Sequence, residues 1–279
     1  ERLPGDTLIR PLRYFYHDLW YGHSFLLNSQ KRNRLIIAVR SYLNNVMERP
    51  DIEPFEYHKL QRYQLLLGSL SYSQDMYIKS GLIYNFGVTE DIPKGILATL
   101  TGGYEWNEFK NRPYLGADIS FGSYSSRSGY FNSRVSWGGY IDGDILSQGV
   151  FSIRTSYFSP LITAGKFYLR QFADVDFTTG IRRFSDEAIT LNNNLGVRGF
   201  RSDSLIGTRR LAIQLETVAF SPLYVYGFRF TFFSFADLGI IDSGDILFTN
   251  NRLYSGFGLG VRIRNENLVF KTFQIRLAY

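Results

Sequence analysis

The amino-acid sequence predicts an all-β protein, a transmembrane antiparallel up-and-down β-barrel. Three observations lead to this fold class. Apolar and polar residues alternate at period two through most of the 279 residues, which is the signature of β-strands. The alternating segments are long enough to provide the roughly 9–11 residues with which a tilted strand crosses a bilayer. The chain is rich in Phe (24), Tyr (20) and Gly (26), and it contains no apolar run of the ~18 residues that a membrane helix requires.

Twelve strands are predicted in order along the chain. Their centres lie near residues 39, 66, 82, 102, 119, 135, 153, 174, 214, 233, 258 and 274. Most neighbouring centres are 16 to 21 residues apart, the length of one crossing strand and a short turn. The one long separation, of 40 residues, brackets a loop over 184–207. Residues 31–279 therefore form the predicted barrel, and residues 1–30 are either a lead-in segment or a first strand.

The two faces of the predicted strands differ in polarity. In residues 166–183, the longest alternating segment, Leu169 and Val175 oppose Arg170 and Asp174. A soluble β-sandwich also alternates, but its strands are seldom this long. A membrane barrel needs an apolar exterior and tolerates a charged interior. We expect the charged face to line a wet or plugged interior; its members are Arg40, Arg62, Lys79, Arg134, Arg154, Arg170, Arg229, Arg262, Glu105, Asp118, Asp174, Glu216 and Asp237.

Charge and cysteine content narrow the possible partners. The 31 Lys and Arg exceed the 25 Asp and Glu, which gives a net charge of +6. Because these charges are spread along the chain, we expect no nucleic-acid partner. The sequence has no cysteine, so disulfides and Cys-ligated metal sites are excluded. His17, His23 and His58 have no carboxylate cluster near them in the sequence, so we expect neither a metal nor another cofactor.

The sequence contains no convincing catalytic constellation. His23 and Ser24 follow one glycine but lack the second glycine of a nucleophile elbow. The alternative is a barrel lipase that uses these two residues. Gly256, Gly258 and Gly260 lie at period two with no predicted helix after them, unlike a phosphate-binding loop. We expect these glycines to flatten the inner wall where a loop or plug approaches closely. The protein is therefore not expected to be an enzyme.

Three short motifs define a candidate site inside the predicted barrel. They are Val197-Arg198-Gly199-Phe200 in the long loop, Leu215-Glu216 in the next strand and Phe235-Ala236-Asp237-Leu238-Gly239 in the strand after it. By the period-two pattern, Asp237 and Glu216 both point inward. If the loop enters the interior, Arg198 can form a charge-assisted, bidentate pair with Asp237. Gly199 gives a re-entrant tip its backbone freedom. The alternative is a solvated loop with a surface arginine.

In this order and spacing, the three motifs resemble the barrel of the outer-membrane assembly and two-partner-secretion superfamily, the bacterial surface antigen family. The resemblance is specific over about 165–279, and upstream only the alternating pattern agrees. It implies a sixteen-stranded barrel in the bacterial outer membrane, of which about twelve strands are visible here. It also implies that Arg198 meets the aspartate of an F-x-D-x-G strand end, Asp237, beside the Leu-Glu strand of Glu216. Phe235 and Gly239 complete that motif.

The resemblance implies insertion or translocation of proteins at the outer membrane. The expected partners are the lipid bilayer and either a polypeptide substrate or other subunits of an outer-membrane complex. A weakly paired seam between the first and last strands opens laterally in such a mechanism, while the loop braces the interior. The alternative is a non-enzymatic barrel that anchors or exports a fused N-terminal domain, or an accessory subunit of a larger complex. A passive porin is disfavoured because the loop would obstruct its channel.

Strand polarity predicts further strands at both ends. Long loops of bacterial barrels are extracellular and short turns are periplasmic. With 184–207 outside, the strand over 31–46 is expected to start outside and the last strand to end outside at Tyr279. Because bacterial barrels normally end in the periplasm, we expect a strand after Tyr279 and one before residue 31, which segment 11–30 can supply. The alternative is that Phe273–Tyr279 is itself the closing strand.

Overall fold

The computed structural model describes residues 11–83, 86, 89–184, 186–192, 196–202, 204–243, 252–265, 267–268 and 272–279. Their regular structure consists of sixteen β-strands and one 3-10 turn, His58–Leu60. No helix in these ranges is long and apolar enough to cross a membrane. The strands are β1 (Arg13–Asn28), β2 (Asn33–Glu48), β3 (Tyr63–Gln74), β4 (Met76–Gly81), β5 (Thr89–Asn107), β6 (Arg112–Ser125), β7 (Gly129–Asp142), β8 (Ile145–Phe158), β9 (Ile162–Ala164), β10 (Phe167–Ile181), β11 (Ile189–Thr190), β12 (Ile206–Gly207), β13 (Arg209–Val225), β14 (Phe228–Asp242), β15 (Leu253–Arg264) and β16 (Thr272–Ala278).

Twelve of these strands follow one another in a single sheet, in the order β1-β2-β3-β5-β6-β7-β8-β10-β13-β14-β15-β16. Each neighbouring pair is antiparallel. Strand β4 pairs with β5 and β9 pairs with β10 beside this path, while β11 and β12 form a separate two-stranded sheet. The predicted all-β, antiparallel up-and-down fold is therefore confirmed. Within the described residues, β1 and β16 are the two ends of the sheet order.

The connections between strands define two ends of the sheet. We call the end with connections 49–62 and 182–208 the loop end. We call the end with connections 29–32, 126–128 and 226–227 the turn end. The long connection that the sequence predicted over 184–207 therefore lies at the loop end.

The two faces of the sheet differ in burial, as β14 shows. Phe233, Phe235 and Asp237 are buried, whereas Phe232 and Leu238 are 41% and 40% exposed. We call the face with the buried residues the inner face and the opposite one the outer face. The outer face carries exposed, large apolar side chains on strand after strand, among them Leu66, Leu70, Leu100, Leu115, Ile119, Val135, Leu215, Phe257, Leu259 and Ile275.

Charged side chains on the inner face pair with one another across neighbouring strands. Arg134 Nε lies 2.7 Å from Asp118 Oδ2. Asp176 of β10 binds Arg154 of β8 at 2.9 Å and Arg210 of β13 at 2.6 Å, one on each side. Opposite charges on neighbouring strands favour one register over the others, so these pairs help to fix the register of the twelve-stranded path of the sheet. We call this path the wall.

The predicted strand near residue 82 is not part of the wall. Met76–Gly81 forms β4, which pairs with Thr89–Lys94, the first part of β5. Strand β5 pairs with β3 only from Leu97 onward. Between these two parts, Gly95 has φ +128°, and a Cβ there would lie 2.2 Å from a carbonyl oxygen of the neighbouring strand. The bend that turns the hairpin away from the wall therefore requires glycine.

The twelfth long strand is instead β1, within segment 11–30. It pairs with β2 from Arg13 to Asn28. Because β4 does not cross the wall, β2 begins at the turn end and β1 begins at the loop end. The expectation that the strand over 31–46 starts on the side of the long loop is therefore wrong.

Apolar side chains fill the inner face toward the turn end and form what we call the inner apolar cluster. The β4–β5 hairpin contributes Ile83 and Ile92, with Phe86 packed against them. The Phe86 ring stands edge-on to fully buried Phe220, with ring centroids 5.4 Å apart. A fully buried side chain of this size contributes about 1.5–3 kcal/mol, so these contacts stabilise the packing of the β4–β5 hairpin on the inner face. The other members are Tyr130, Phe158, Phe172, Val218, Phe233 and Phe235.

Candidate functional site

The long connection at the loop end folds back on itself over the inner face. Strands β11 and β12 pair within it. Further along, Asn192 Nδ2 donates to the Ser202 carbonyl oxygen at 3.1 Å, and Ser202 N–H donates to Asn192 Oδ1 at 2.9 Å. Arg210 of β13 donates to the Thr190 carbonyl oxygen at 3.0 Å. The Arg210 bond ties the loop to the wall, and the others hold the loop together. Residues 185, 193–195 and 203 of the predicted loop lie outside the described part.

The tip of this loop is the tight turn Val197–Phe200. Phe200 N–H donates to the Val197 carbonyl oxygen at 3.1 Å, and Gly199 adopts φ +81°. A residue with a Cβ is strained in this conformation, which accounts for glycine at the tip. The ring of Phe200 packs against Tyr254 of β15, with centroids 5.4 Å apart.

Val197 fixes the depth of the tip. Its side chain is buried between Gly239 of β14 and Gly256 of β15. A Cβ at Gly239 would lie 3.0 Å from Val197 Cγ2, and one at Gly256 would lie 2.8 Å from Val197 Cγ1. Both glycines therefore leave room for the loop, as the sequence pattern predicted for the glycines of β15.

Arg198 is held by the two carboxylates that the motifs singled out. Its Nε donates to Asp237 Oδ2 at 2.8 Å and its Nη2 to Oδ1 at 2.6 Å, a bidentate pair. Its backbone N–H also donates to Asp237 Oδ2, at 2.8 Å. Nη1 donates to Glu216 Oε2 at 2.5 Å, and Nη2 donates to the Leu215 carbonyl oxygen at 3.1 Å. We call this arrangement the loop latch.

The electrostatics of the loop latch favour a permanently charged arginine. Burial lowers the pKa of Arg198, but the carboxylates of Asp237 and Glu216 outweigh burial and raise that pKa above its ordinary value. Asp237 is fully buried, so removing Arg198 would leave an uncompensated charge. Breaking such a buried pair from one side costs about 3–5 kcal/mol.

Two phenylalanine rings form the floor under the latch. The guanidinium of Arg198 lies 4.3 Å from the Phe235 ring centroid, a cation–π contact. A Cβ at Gly258 would lie 2.6 Å from Phe235 Cζ, and one at Gly260 would lie 2.2 Å from Phe233 Cζ. Gly258 and Gly260 of β15 thus leave room for these two rings, whereas Gly256 leaves room for the loop.

Arg262 of β15 is a further member of the site. Its alternation in the sequence predicts only that it is one of the charged residues of the inner face. Its Nη2 donates to Glu216 Oε1 at 2.7 Å, and its Nε donates to Gln274 Oε1 of β16 at 3.1 Å. The alternation in β15 could have identified it, because Arg262 lies on the same face as the glycines at positions 256, 258 and 260.

A second charged cluster joins connection 49–62 to the wall. His58 Nε2 lies 2.8 Å from Glu105 Oε2, and Arg112 Nη2 donates to Glu105 Oε1 at 2.6 Å. Tyr57 N–H donates to Asp186 Oδ1 of the long loop at 3.0 Å. His58 therefore bonds to a buried carboxylate that Arg112 also neutralises, while His17 and His23 lie on β1.

Glu108, which directly follows β5, binds two residues of the same connection 49–62. It accepts hydrogen bonds from Arg62 N–H at 2.8 Å and from Arg49 Nη2 at 2.9 Å. Burial raises the pKa of Glu108, but the bonds from Arg49 and Arg62 outweigh burial and hold that pKa below its usual value. The Glu108 carboxylate is thus stabilised in its ionised form.

No protein-family model matches this chain, and no curated protein matches its sequence. The resemblance to the bacterial surface antigen family accordingly depends on the three motifs and on the contacts they make. Of the predicted site residues, Arg198 contacts Asp237, Glu216 and Phe235, and Val197 packs against Gly239. Gly199 forms the turn that presents them, and Phe200 packs on Tyr254.

Proposed function

We propose that this chain is a membrane-spanning β-barrel of the bacterial outer membrane that acts in the insertion or translocation of polypeptides. The observation that carries the proposal is the loop latch. The side chain and backbone of Arg198 bind buried Asp237, while Glu216 binds the same guanidinium. A solvated surface loop has no need of a buried, bidentate ion pair, because its charge is already hydrated.

The outer face supports the membrane part of the proposal. Leucine, isoleucine and phenylalanine side chains remain exposed on it along most wall strands. Soluble monomers rarely expose a continuous apolar surface of more than a few hundred Å². A lipid bilayer is the partner that covers such a surface, and the ion pairs of the inner face fit the polar interior of a barrel.

The position of the latch supports a role beyond passive diffusion. The loop lies across the inner face near the loop end, and the inner apolar cluster fills it toward the turn end. A porin needs an open, water-filled interior. By the family resemblance, polypeptides would be handled at a lateral seam while the latched loop braces the wall.

A second function is favoured by the inner apolar cluster. Ile83, Phe86 and Ile92 bring apolar side chains into the interior. A conduit for polypeptides would instead need an open interior. A barrel of this kind suits a non-enzymatic anchor or an accessory subunit of a larger outer-membrane complex. Export of a fused N-terminal domain would instead require this cluster to move.

An insertion assay separates these functions. Full-length protein would be reconstituted in lipid vesicles, and an unfolded outer-membrane β-barrel polypeptide would be added. Protease protection of the added chain measures its insertion. We expect acceleration by the wild type and a loss of about tenfold or more in Arg198→Ala, since tenfold corresponds to only about 1.4 kcal/mol.

Arg127→Ala is the matched control for this assay, because Arg127 is an exposed arginine of a turn-end connection. It should insert the polypeptide at the wild-type rate. If the wild type does not accelerate insertion while it remains folded in the vesicles, the insertion proposal fails and the anchor or accessory function is favoured.

A further inference from the structure

We propose that Arg262 is a positioning residue that transmits the state of the loop latch to strand β16. This coupling lies in the site of the proposed function. Only the use of the coupling in handling polypeptides rests on that function. The coupling itself follows from a continuous series of contacts that runs from the loop tip across β13 and β15 to β16.

The first step is the shared carboxylate of Glu216. Its Oε2 accepts from Arg198 Nη1 at 2.5 Å, and its Oε1 accepts from Arg262 Nη2 at 2.7 Å. Each oxygen serves one guanidinium, and the side chain of Glu216 is only 12% exposed. Movement of either arginine therefore leaves a mostly buried carboxylate with half of its charged partners.

The second step leads from Arg262 to β16. Arg262 Nε donates to Gln274 Oε1 at 3.1 Å. The planar guanidinium directs Nη2 and Nε toward different partners at once, which a lysine ammonium on a flexible stem does not reproduce. Arg262 Nη1 is buried without a hydrogen-bond partner among the described residues, an arrangement that costs stability. The side chain is thus placed to reach both partners rather than to satisfy all its own donors.

The aromatic floor couples the same elements a second time. The Arg262 guanidinium lies 4.2 Å from the Phe233 ring centroid, and that of Arg198 lies 4.3 Å from the Phe235 centroid. The two rings are stacked, with centroids 6.4 Å apart and an angle of 25° between their planes. Arg276 of β16 also approaches the Phe235 ring, at 5.7 Å. A displaced arginine would therefore disturb the ring under the other one.

Strand β16 is the element that these contacts reach. In the part of the chain that the structure describes it pairs with β15 over Thr272–Ala278, and each residue of the strand is exposed. Two side-chain contacts join β16 to this site: the bond from Arg262 to Gln274 and the approach of Arg276 to the Phe235 ring. By thermodynamic reciprocity, release of the loop loosens β16, and displacement of β16 loosens the loop.

Amide hydrogen exchange of the full chain in lipid nanodiscs tests this coupling. We expect Arg198→Ala to raise exchange in β16 by about fivefold or more, the lower end of common allosteric couplings. In an Arg262→Lys background, which keeps the charge but not the two-way geometry, the same substitution should change β16 exchange little. Arg134→Lys, at an inner-face pair with Asp118 on β6 and β7, is the matched control and should leave the response to Arg198→Ala intact.

A second variant keeps the proposal testable if Arg262→Lys does not fold. Gln274→Leu removes the acceptor of Arg262 on β16, so Arg198→Ala should change exchange in β16 little in this background. An undiminished Arg198→Ala effect there would contradict the coupling. The coupling would be overturned if Arg198→Ala did not raise exchange in β16 of the otherwise wild-type protein. It would also be overturned if Arg198→Ala raised that exchange equally in the Arg262→Lys background. Because exchange is measured without a substrate, coupling without polypeptide insertion would contradict the proposed function alone.

Discussion

Arg198 binds Asp237 through its backbone N–H and through two nitrogens of its guanidinium. The backbone bond makes the position of the loop, and not only the direction of one side chain, depend on a single buried carboxylate. A long arginine side chain could otherwise follow a moving loop tip and keep its ion pair. Loss of the Asp237 carboxylate would therefore free the backbone of the loop tip as well as the Arg198 side chain.

Asp237→Asn should release the loop latch. The substitution removes the charge that compensates Arg198 in a buried setting, and we expect a loss of about 3–5 kcal/mol in the free energy of unfolding. Urea unfolding from lipid vesicles, followed by tryptophan fluorescence, measures that loss. Asp118→Asn is the control: its partner Arg134 is 57% exposed, and a pair of that kind contributes about 1 kcal/mol or less. Equal losses in the two variants would contradict a special role for Asp237.

Gly256→Ala should push the loop tip away from the wall. The added Cβ would lie 2.8 Å from Val197 Cγ1, and a short, branched side chain at this distance has little freedom to yield. Because the sequence has no cysteine, Arg201→Cys gives a unique label beside the tip, and its reaction with a maleimide should be faster in the Gly256→Ala background. Gly68→Ala, where a Cβ would be 4.0 Å from its nearest neighbour, should not change the labelling rate.

The strand pattern predicts the fold because each strand has one buried face. On β13 and β14 the period-two phase correctly directs Glu216 and Asp237 inward, since a slip by one residue would expose every buried side chain of the strand. The same local pattern fails near residue 82. There the chain leaves the wall at Gly95, and a hairpin that packs inside alternates much as a wall strand does.

The candidate site is predictable only in part for a related reason. Arg198 and Asp237 belong to recognisable motifs, whereas Arg262 and Gln274 are a polar pair on two consecutive strands with no motif around them. Arg262 bonds to Gln274 on β16 and reaches Glu216 of β13 across β14. Its guanidinium lies over the Phe233 ring of β14. Such contacts depend on the packed inner face and not on residue spacing.

Phe220→Ala should open the interior toward the turn end. Phe220 is fully buried against Phe86 and the rest of the inner apolar cluster, and truncation of a buried phenylalanine costs about 3–5 kcal/mol. The vacated space also lets water enter, so single-channel conductance in planar bilayers should rise. Phe232→Ala removes the same atoms from the outer face of β14, where the side chain is 41% exposed, and should leave the conductance unchanged. A conductance rise in both variants would contradict closure by the cluster.

Acid should weaken the loop end through Glu108. Its pKa in the folded protein lies below the usual 4.5 because Arg49 and Arg62 favour the ionised form over the effect of burial. Its contribution to stability is therefore complete above pH 4.5 and is lost as the pH falls from there through the lowered value. Glu108→Gln should be less stable than the wild type at neutral pH, and the difference in urea midpoint should shrink below pH 4.5. Glu53→Gln, at an exposed carboxylate of connection 49–62, controls for the loss of one negative charge. A difference that stays constant with pH would show that Glu108 acts through packing and not through its charge.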